Sequence, residues 1–455
     1  MVSKSALFHP TTRKVTRLAG VETSAKFLQC WLPGCDCLEN PTRHLSFPGS
    51  DTLIPLDYSL YFHIPFCKHR CAYCDFNTYA GQEALIPAYV DALCREIQGI
   101  GKAARAERGG SKVEAHTIFF GGGTPSLMTP KQFEMILQTV HDSFDFRSPQ
   151  SKETIETSLE ANPGTVTLDS LRDLRRIGFN RVSFGVQSAH PDELRQLERI
   201  HDFYDVIQSV QWARKAGFEN LNLDLIFGLP EQTLSRWQES LRRAVDLGPE
   251  HLSLYALTVE PGTPFGRWAG RGLMAMPDPD LAADMYEWAG EFLEGEGYEQ
   301  YEISNWSKPG YQCRHNLQYW HNQPYLGFGA VAHGCAARMR VANILRIKTY
   351  IEHLQADTLI PGISFPLSPA TVTQTRLTPR VEMQETMMLG LRLTREGVSA
   401  ATFQERFGYE MQFVFAKEID ELVRLGLLEW VGDILRLTKK ARLVGNQAFL
   451  RFVGE

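Results

Sequence analysis

Cys67, Cys71 and Cys74 lie within eight residues, in the run Tyr61-Phe-His63-Ile-Pro-Phe-Cys67-Lys-His-Arg-Cys71-Ala-Tyr73-Cys74-Asp75-Phe76. The spacing is C-x3-C-x2-C. Three soft thiolates on one short loop suit an iron–sulfur cluster, whose irons prefer sulfur ligands. A cubane cluster has four irons, so three cysteines leave one iron open to a small molecule. An open coordination position is a place where chemistry can happen.

Other polar residues gather at regular places. Six apolar, β-rich runs alternate with helical patterns, at roughly 59–64, 115–120, 154–160, 180–186, 219–227 and 251–257. Between the first two, Leu85, Tyr89, Leu93 and Ile97 recur at helical spacing. Phe133, Ile136, Leu137 and Val140 do so in the next interval, and Leu234, Trp237, Leu241 and Val245 before the sixth run. This alternation predicts parallel strands with right-handed crossovers, a partial (β/α)6 barrel. In such folds active sites form at the carboxyl ends of the strands. The cysteine loop follows strand one and Gly121-Gly122-Gly123-Thr124-Pro125 follows strand two. Glu160 ends strand three, Gln187 follows strand four, Asp224 and Gly228-Leu-Pro230 end strand five, and Thr258, Glu260 and Pro261 follow strand six.

Four segments are expected: an irregular extension over 1–55, the partial barrel over 56–275, an α/β extension with a linker over 276–380, and a last module over 381–455. In 276–380, residues 279–294 read as a helix and 298–303 as a strand. Residues 355–380, rich in Pro and Thr, read as the linker. In the last module helical patterns precede two apolar runs split by Gly432-Asp433, a hairpin signal. Helices followed by a hairpin predict an α+β winged-helix-like shape. Basic and acidic residues are equal in number over 380–455, so packing or protein contact is expected there, not nucleic acid.

The chain has 455 residues, 43% of them hydrophobic and 22% charged, with a net charge of -6. These are the proportions of an ordinary globular protein, and no apolar run approaches the length of a membrane span. Nine cysteines is an odd number and three crowd one loop, which argues against a disulfide framework and for a reducing compartment. Cys30, Cys35 and Cys37 lie in the N-terminal extension without conventional zinc spacing. Lys4, Arg13, Lys14 and Arg17 precede any acidic residue, a pattern shared by mitochondrial presequences and irregular bacterial N-termini. The cytoplasm is the expected location, with the mitochondrion as the alternative.

C-x3-C-x2-C ahead of a parallel barrel resembles the radical S-adenosylmethionine superfamily. The resemblance implies a 4Fe-4S cluster on Cys67, Cys71 and Cys74, with S-adenosylmethionine on the fourth iron and reductive cleavage to a 5′-deoxyadenosyl radical. Tyr61-Phe-His63-Ile-Pro65, Gly121-Gly-Gly-Thr124-Pro125, Glu160-Ala-Asn162-Pro163, Gly185-Val-Gln187-Ser188 and Asp224-Leu-Ile-Phe-Gly228-Leu-Pro230 are similar to the group around oxygen-independent coproporphyrinogen III oxidase. That likeness places Tyr61, Gly122, Glu160, Gln187, Arg199 and Asp224 around S-adenosylmethionine. Tyr73, Gly123 and Thr124 match positions that contact a second molecule of it in the oxidase.

The oxidase carries another cysteine two residues after its third cluster ligand. This chain has Asp75-Phe76 there, a form that looks like the HemW branch of haem chaperones. His315-Asn316-Leu-Gln-Tyr319-Trp320 matches that branch's H-N-x-x-Y-W signature, associated there with haem binding. The resemblance thus implies haem at His315, with Cys313, His321 and His333 as rivals, and an acceptor haemoprotein as partner. It leaves open a homodimer, and whether S-adenosylmethionine is consumed. Two alternatives stand beside the chaperone: oxidative decarboxylation of coproporphyrinogen III, and a nucleic-acid or protein interaction module with a structural cluster.

Overall fold

In the structure, a computed structural model, residues 57–146, 155–355 and 364–453 are described. The N-terminal extension with Cys30, Cys35 and Cys37, and the basic run before it, fall outside these residues.

Six strands stand where the apolar runs predict them: β1 (Tyr58–Ile64), β2 (Ala115–Gly122), β3 (Glu156–Ala161), β4 (Arg181–Gln187), β5 (Asn220–Phe227) and β6 (His251–Ala256). They pair in parallel in chain order. The crossover helices start where the sequence provides caps. Before Pro130–Ser143, Thr129 accepts from the Gln132 amide and Gln132 answers it, a capping box with Pro at the first position. Thr233 caps Leu234–Val245 in the same way from one side.

Period two divides each strand into two faces. Leu60, Phe62 and Ile64 of β1, Ile118 and Phe120 of β2, Val182, Phe184 and Val186 of β4, and Leu221, Leu223 and Leu225 of β5 are almost wholly buried. They pack beneath the helices, with Phe120 in edge contact with Phe133 at 5.2 Å. Each such side chain contributes about 2 kcal/mol by burial, so this layer carries the barrel. The opposite face carries Tyr61 and His63, Phe119, Glu160, Arg181 and Ser183, Asn222 and Asp224, and Ser253 and Tyr255. All of them line one cavity, so the parallel strands curve around it.

The sheet does not close. Residues beyond 276 extend it on both sides, through β7 (Glu299–Glu302), β8 (Asn305–Ser307), β9 (Tyr325–Phe328), β10 (His333–Ala336), β11 (Met339–Asn343) and β12 (Thr371–Arg376). The order across the twelve strands is β12-β11-β10-β9-β1-β2-β3-β4-β5-β6-β8-β7. Strand β9 pairs in parallel with β1, and the outer strands on both flanks are antiparallel. The helix expected over 279–294 is Pro279–Gly295, and the strand expected over 298–303 is β7. The stretch expected as a linker differs in part: Thr371–Arg376 is the edge strand β12, and its exposed, polar side chains explain why no apolar signal marked it.

The last module pairs Leu428–Val431 with Ile434–Leu437 across Gly432, which adopts φ 64, the left-handed backbone that a tight hairpin needs. Val398–Ser399 adds a third strand, and helices Ala400–Phe407 and Ala416–Arg424 pack beside it, the winged-helix-like arrangement. Helix Pro379–Gly390 carries the module to the barrel, where Glu385, Met388 and Leu389 close one side of the cavity. No helix among the described residues is long and apolar enough to cross a membrane.

Candidate functional site

Two cavities adjoin at the strand ends. One, of about 220 Å³, is lined by Cys67, Cys71, Tyr73 and Cys74 together with Gly122, Gly123, Thr124, Glu160, Gln187, Arg199 and Asp224. The other, of about 200 Å³, is lined by Tyr61, His63, Phe119, Arg181, His315, Asn316, Tyr319, Trp320, His333 and Cys335 among others. Phe76, Gly122, Glu160, Ser183, Asp224 and Tyr255 belong to both. The three cysteines, the residues expected around S-adenosylmethionine and His315 all line one cavity or the other, whereas Cys313 and His321 line neither. Tyr61 faces the second, where its hydroxyl meets His63 Nδ1 at 3.0 Å.

The cysteine loop is held by the glycine loop behind it. The Gly123 amide donates to the Ile64 carbonyl at 2.9 Å and the Thr124 amide to that of Phe66 at 2.7 Å. A Cβ on Gly123 would come within 2.6 Å of the Phe66 carbonyl oxygen and 2.8 Å of that of Ile64, so only glycine permits this approach. Gly123→Ala is therefore expected to push Cys67 outward and destabilise the fold by about 1–3 kcal/mol. Thermal melting and iron content after reconstitution would both fall, and an unchanged variant would contradict the contact.

A polar chain runs behind the thiols. Arg199 Nη2 donates to Asn162 Oδ1 at 2.6 Å and to the Gly185 carbonyl at 2.8 Å, Asn162 donates to Thr124 Oγ1 at 3.0 Å, and Thr124 donates to Cys67 Sγ at 3.7 Å. Arg199 Nη1 reaches Cys71 Sγ at 3.7 Å, and its Nε has no partner among the described residues. Arg199 is thus part of the cavity wall, not a surface ion pair. Gln187 holds φ 67 beside a bulge in the β4–β5 pairing, and this strained backbone aims its side chain at the same space.

All three cysteines are free thiols. Among the described residues no three His, Cys, Asp or Glu side chains converge on a single ion. In a cubane each cysteine would take a different iron. Two carboxylates face the thiols. Glu160 Oε2 accepts from the Gly122 amide at 3.0 Å. Burial, reinforced by Asp224, lifts its carboxyl to about 7. Asp224 accepts from Ser183 and Asn222, both at 2.7 Å, and burial raises its pKa as well. It sits inside a strand and is not a helix-start residue.

The H-N-x-x-Y-W segment forms a short helix, Arg314–Trp320. The buried Glu156 carboxylate caps it, accepting from the amides of Arg314 at 3.1 Å and His315 at 3.0 Å. His315 is buried and both its ring nitrogens are engaged, Nδ1 with Thr117 Oγ1 at 2.8 Å and Nε2 with the Tyr319 hydroxyl at 2.9 Å. Its ring stacks on Phe119 at 4.9 Å, and burial lowers its pKa to about 3, so it is neutral. A metal at Nε2 requires Tyr319 to move. Of the rivals, Cys313 is fully buried against Glu156, and His321 Nε2 is hydrogen-bonded with Glu396 at 2.8 Å near the surface. His333 lines the cavity, and burial with Arg340 nearby lowers its pKa.

Sequence reasoning missed Arg181, Ser183, Asn222, Ser253, His63 and Cys335. The signal was present in part: β4 reads Arg-Val-Ser-Phe-Gly-Val-Gln and β5 Asn-Leu-Asn-Leu-Asp-Leu, polar at every second position. A strand buried on both sides has no other reason to alternate this way.

Comparison with known proteins agrees with this geometry. The Radical SAM superfamily profile matches residues 61–244, and that of the HemN C-terminal domain matches residues 377–444. The chain is 38% identical over 398 residues to the Heme chaperone HemW of Bacillus subtilis, covering 87% of this chain and 99% of the relative. It is 42% identical over 277 residues to the Heme chaperone HemW of Escherichia coli, covering 61% and 69%. A zebrafish relative, Radical S-adenosyl methionine domain-containing protein 1, mitochondrial, is 33% identical over 82% of each chain. Among solved structures, the radical SAM coproporphyrinogen III oxidase HemN of Escherichia coli superposes with a TM-score of 0.71 at 23% identity, over 87% of this chain and 90% of that one, a likeness of fold. Profile, relatives and fold converge: the chain belongs to the HemW family of the radical SAM superfamily.

Proposed function

We propose that this protein is a haem chaperone that binds haem in the cavity beside the Arg314–Trp320 helix and passes it to an acceptor haemoprotein. The observation that carries the reading is the second cavity. It is walled by the H-N-x-x-Y-W side chains and adjoins the cysteine cavity along a shared wall. Its aromatic lining, with Tyr61, Phe119, Tyr319, Trp320 and Tyr325, suits a flat macrocycle. Asn316 and the buried Arg181, whose Nε has no partner among the described residues, offer donors to carboxylate edges.

In the other cavity Cys67, Cys71 and Cys74 would hold a 4Fe-4S cluster. Glu160 and Asp224 offer acceptors to the hydroxyls or amine of S-adenosylmethionine, and Arg199 offers a donor to its carboxylate. Cluster and S-adenosylmethionine supply one-electron chemistry when bound. The chain's own residues orient them: Gly122 and Gly123 let the backbone come close, and Gln187 closes the wall. Phe76 occupies the place where the oxidase carries its further cysteine, and it stands on the boundary between the two cavities. A large apolar group there favours haem handling over coproporphyrinogen oxidation. The cytoplasm is the proposed setting, with the mitochondrion as the alternative in view of the zebrafish relative's name.

The test is haem titration of the anaerobically reconstituted protein. A saturable, roughly stoichiometric complex with a shifted Soret band is expected, together with transfer to an apo-haemoprotein on mixing. No binding, or conversion of coproporphyrinogen III by the reduced protein, would overturn the reading.

A further inference from the structure

We infer that His333, on strand β10, is the side chain that takes the haem iron in the second cavity. The inference rests on the haem-chaperone reading and identifies the ligand atom within it.

Iron in a porphyrin needs an axial donor with a lone pair it can reach. In the second cavity His315 does not offer one, because Thr117 and Tyr319 occupy its two nitrogens. His63 Nε2 makes no hydrogen bond among the described residues, but the atom itself is buried. Cys313 is sealed in the core, and His321 is taken by Glu396. His333 differs from all of these. It lines the cavity, it is only partly buried, and neither ring nitrogen hydrogen-bonds to any described residue.

The strand explains the placement. Gly334 and Ala336 of β10 are buried, while His333 and Cys335, two apart, share the half-open face and both line the cavity. Antiparallel pairing fixes the register, with His333 opposite Ala342 and Cys335 opposite Arg340. A Cβ on Gly327 of the neighbouring β9 would lie 1.9 Å from the His333 carbonyl oxygen, so the backbone is seated hard against that strand. The imidazole is therefore presented from a rigid element. His315, by contrast, is built into the wall, where its stacking on Phe119 and its bond to Tyr319 shape the aromatic face.

The experiment compares haem with iron-free protoporphyrin IX, titrated into wild type, His333→Ala and His315→Ala under anaerobic conditions. His333→Ala is expected to weaken haem at least tenfold and to lose the wild-type Soret position. It should bind protoporphyrin IX within about twofold of wild type, and exogenous imidazole should restore the Soret band. His333→Met, which keeps a donor of similar bulk, should bind haem with a shifted spectrum. This arm decides the matter if the alanine variant does not fold. An unchanged spectrum and affinity in both His333 variants would overturn the assignment. So would an equal loss for haem and protoporphyrin IX, or transfer of the effect to His315→Ala. Each of these leaves haem binding by the wild type intact, whereas failure of wild type to bind haem removes the chaperone reading itself.

Discussion

Cys71→Ala is expected to abolish assembly of the iron–sulfur cluster. Reconstituted wild type should carry about four irons per chain, and the variant under one, with loss of the broad absorption near 400 nm. The fold should survive, because the Cys71 thiol lies in the cavity and its one hydrogen bond among the described residues is the 3.7 Å contact from Arg199. Unfolding of the cluster-free forms should then differ by no more than about 0.5 kcal/mol. S-adenosylmethionine binding should be lost with the cluster. Haem affinity should stay within about threefold, because the second cavity is lined without any of the three cysteines. Full iron content in the variant would remove the cysteine loop as the cluster site.

Glu160→Gln is expected to separate stability from ligand binding. In the folded chain burial and Asp224 hold the Glu160 carboxyl at about 7, above its usual 4.5. A raised carboxyl binds its proton more tightly when folded. The resulting cost to stability is absent below the unfolded value, grows between about 4.5 and 7, and is complete above that. At pH 8 it amounts to at most about 3 kcal/mol. Glutamine is isosteric and can still accept from the Gly122 amide. The cluster-free variant should therefore melt about 2–5 °C higher at pH 8 and match wild type near pH 4.5. The same change removes a carboxylate facing the cysteines, so affinity for S-adenosylmethionine at pH 8 should fall at least tenfold. Wild-type affinity should weaken as pH drops from 8 to 6, while that of the variant stays flat. Differential scanning calorimetry and equilibrium binding at several pH values test both halves. A variant that melts lower at pH 8 and still binds the ligand fully would refute the assignment.

The two expectations share a cause. The floor of the barrel gathers Glu160, Asp224, Arg181 and Asn222 around one cavity that aromatic side chains also line, with His251 buried behind them. Such a floor costs stability in the absence of its ligands, and the apolar layer between sheet and helices offsets it.

The barrel was legible because its strands and helices carry their periods openly. The six runs and their helical intervals placed every parallel strand of the first half. The edge strand Thr371–Arg376 was not legible: one side chain in six is even half-buried, so no apolar alternation marks it, and pairing with β11 alone makes it a strand. The same limit applies to Val398–Ser399, two residues ordered by Ile434 and Leu435 opposite.

Residue type and spacing determined the cysteine triplet and the strand-end polar set, because loops of fixed length after strands must converge at one end of a parallel sheet. The stretch from Trp306 to His333 reads only as a loop rich in aromatics and His, and the helix Arg314–Trp320 within it emerges with the fold. What the sequence could not decide is which nitrogen is open. His315 and His333 are the same chemical group near the same cavity, one in a full motif and the other in Val331-Ala-His333-Gly334. Only folding brings Thr117 and Tyr319 onto the two nitrogens of His315 and leaves those of His333 without a hydrogen bond among the described residues. A lone pair is spent or spared by neighbours distant in the chain, and that is a property of the tertiary structure alone.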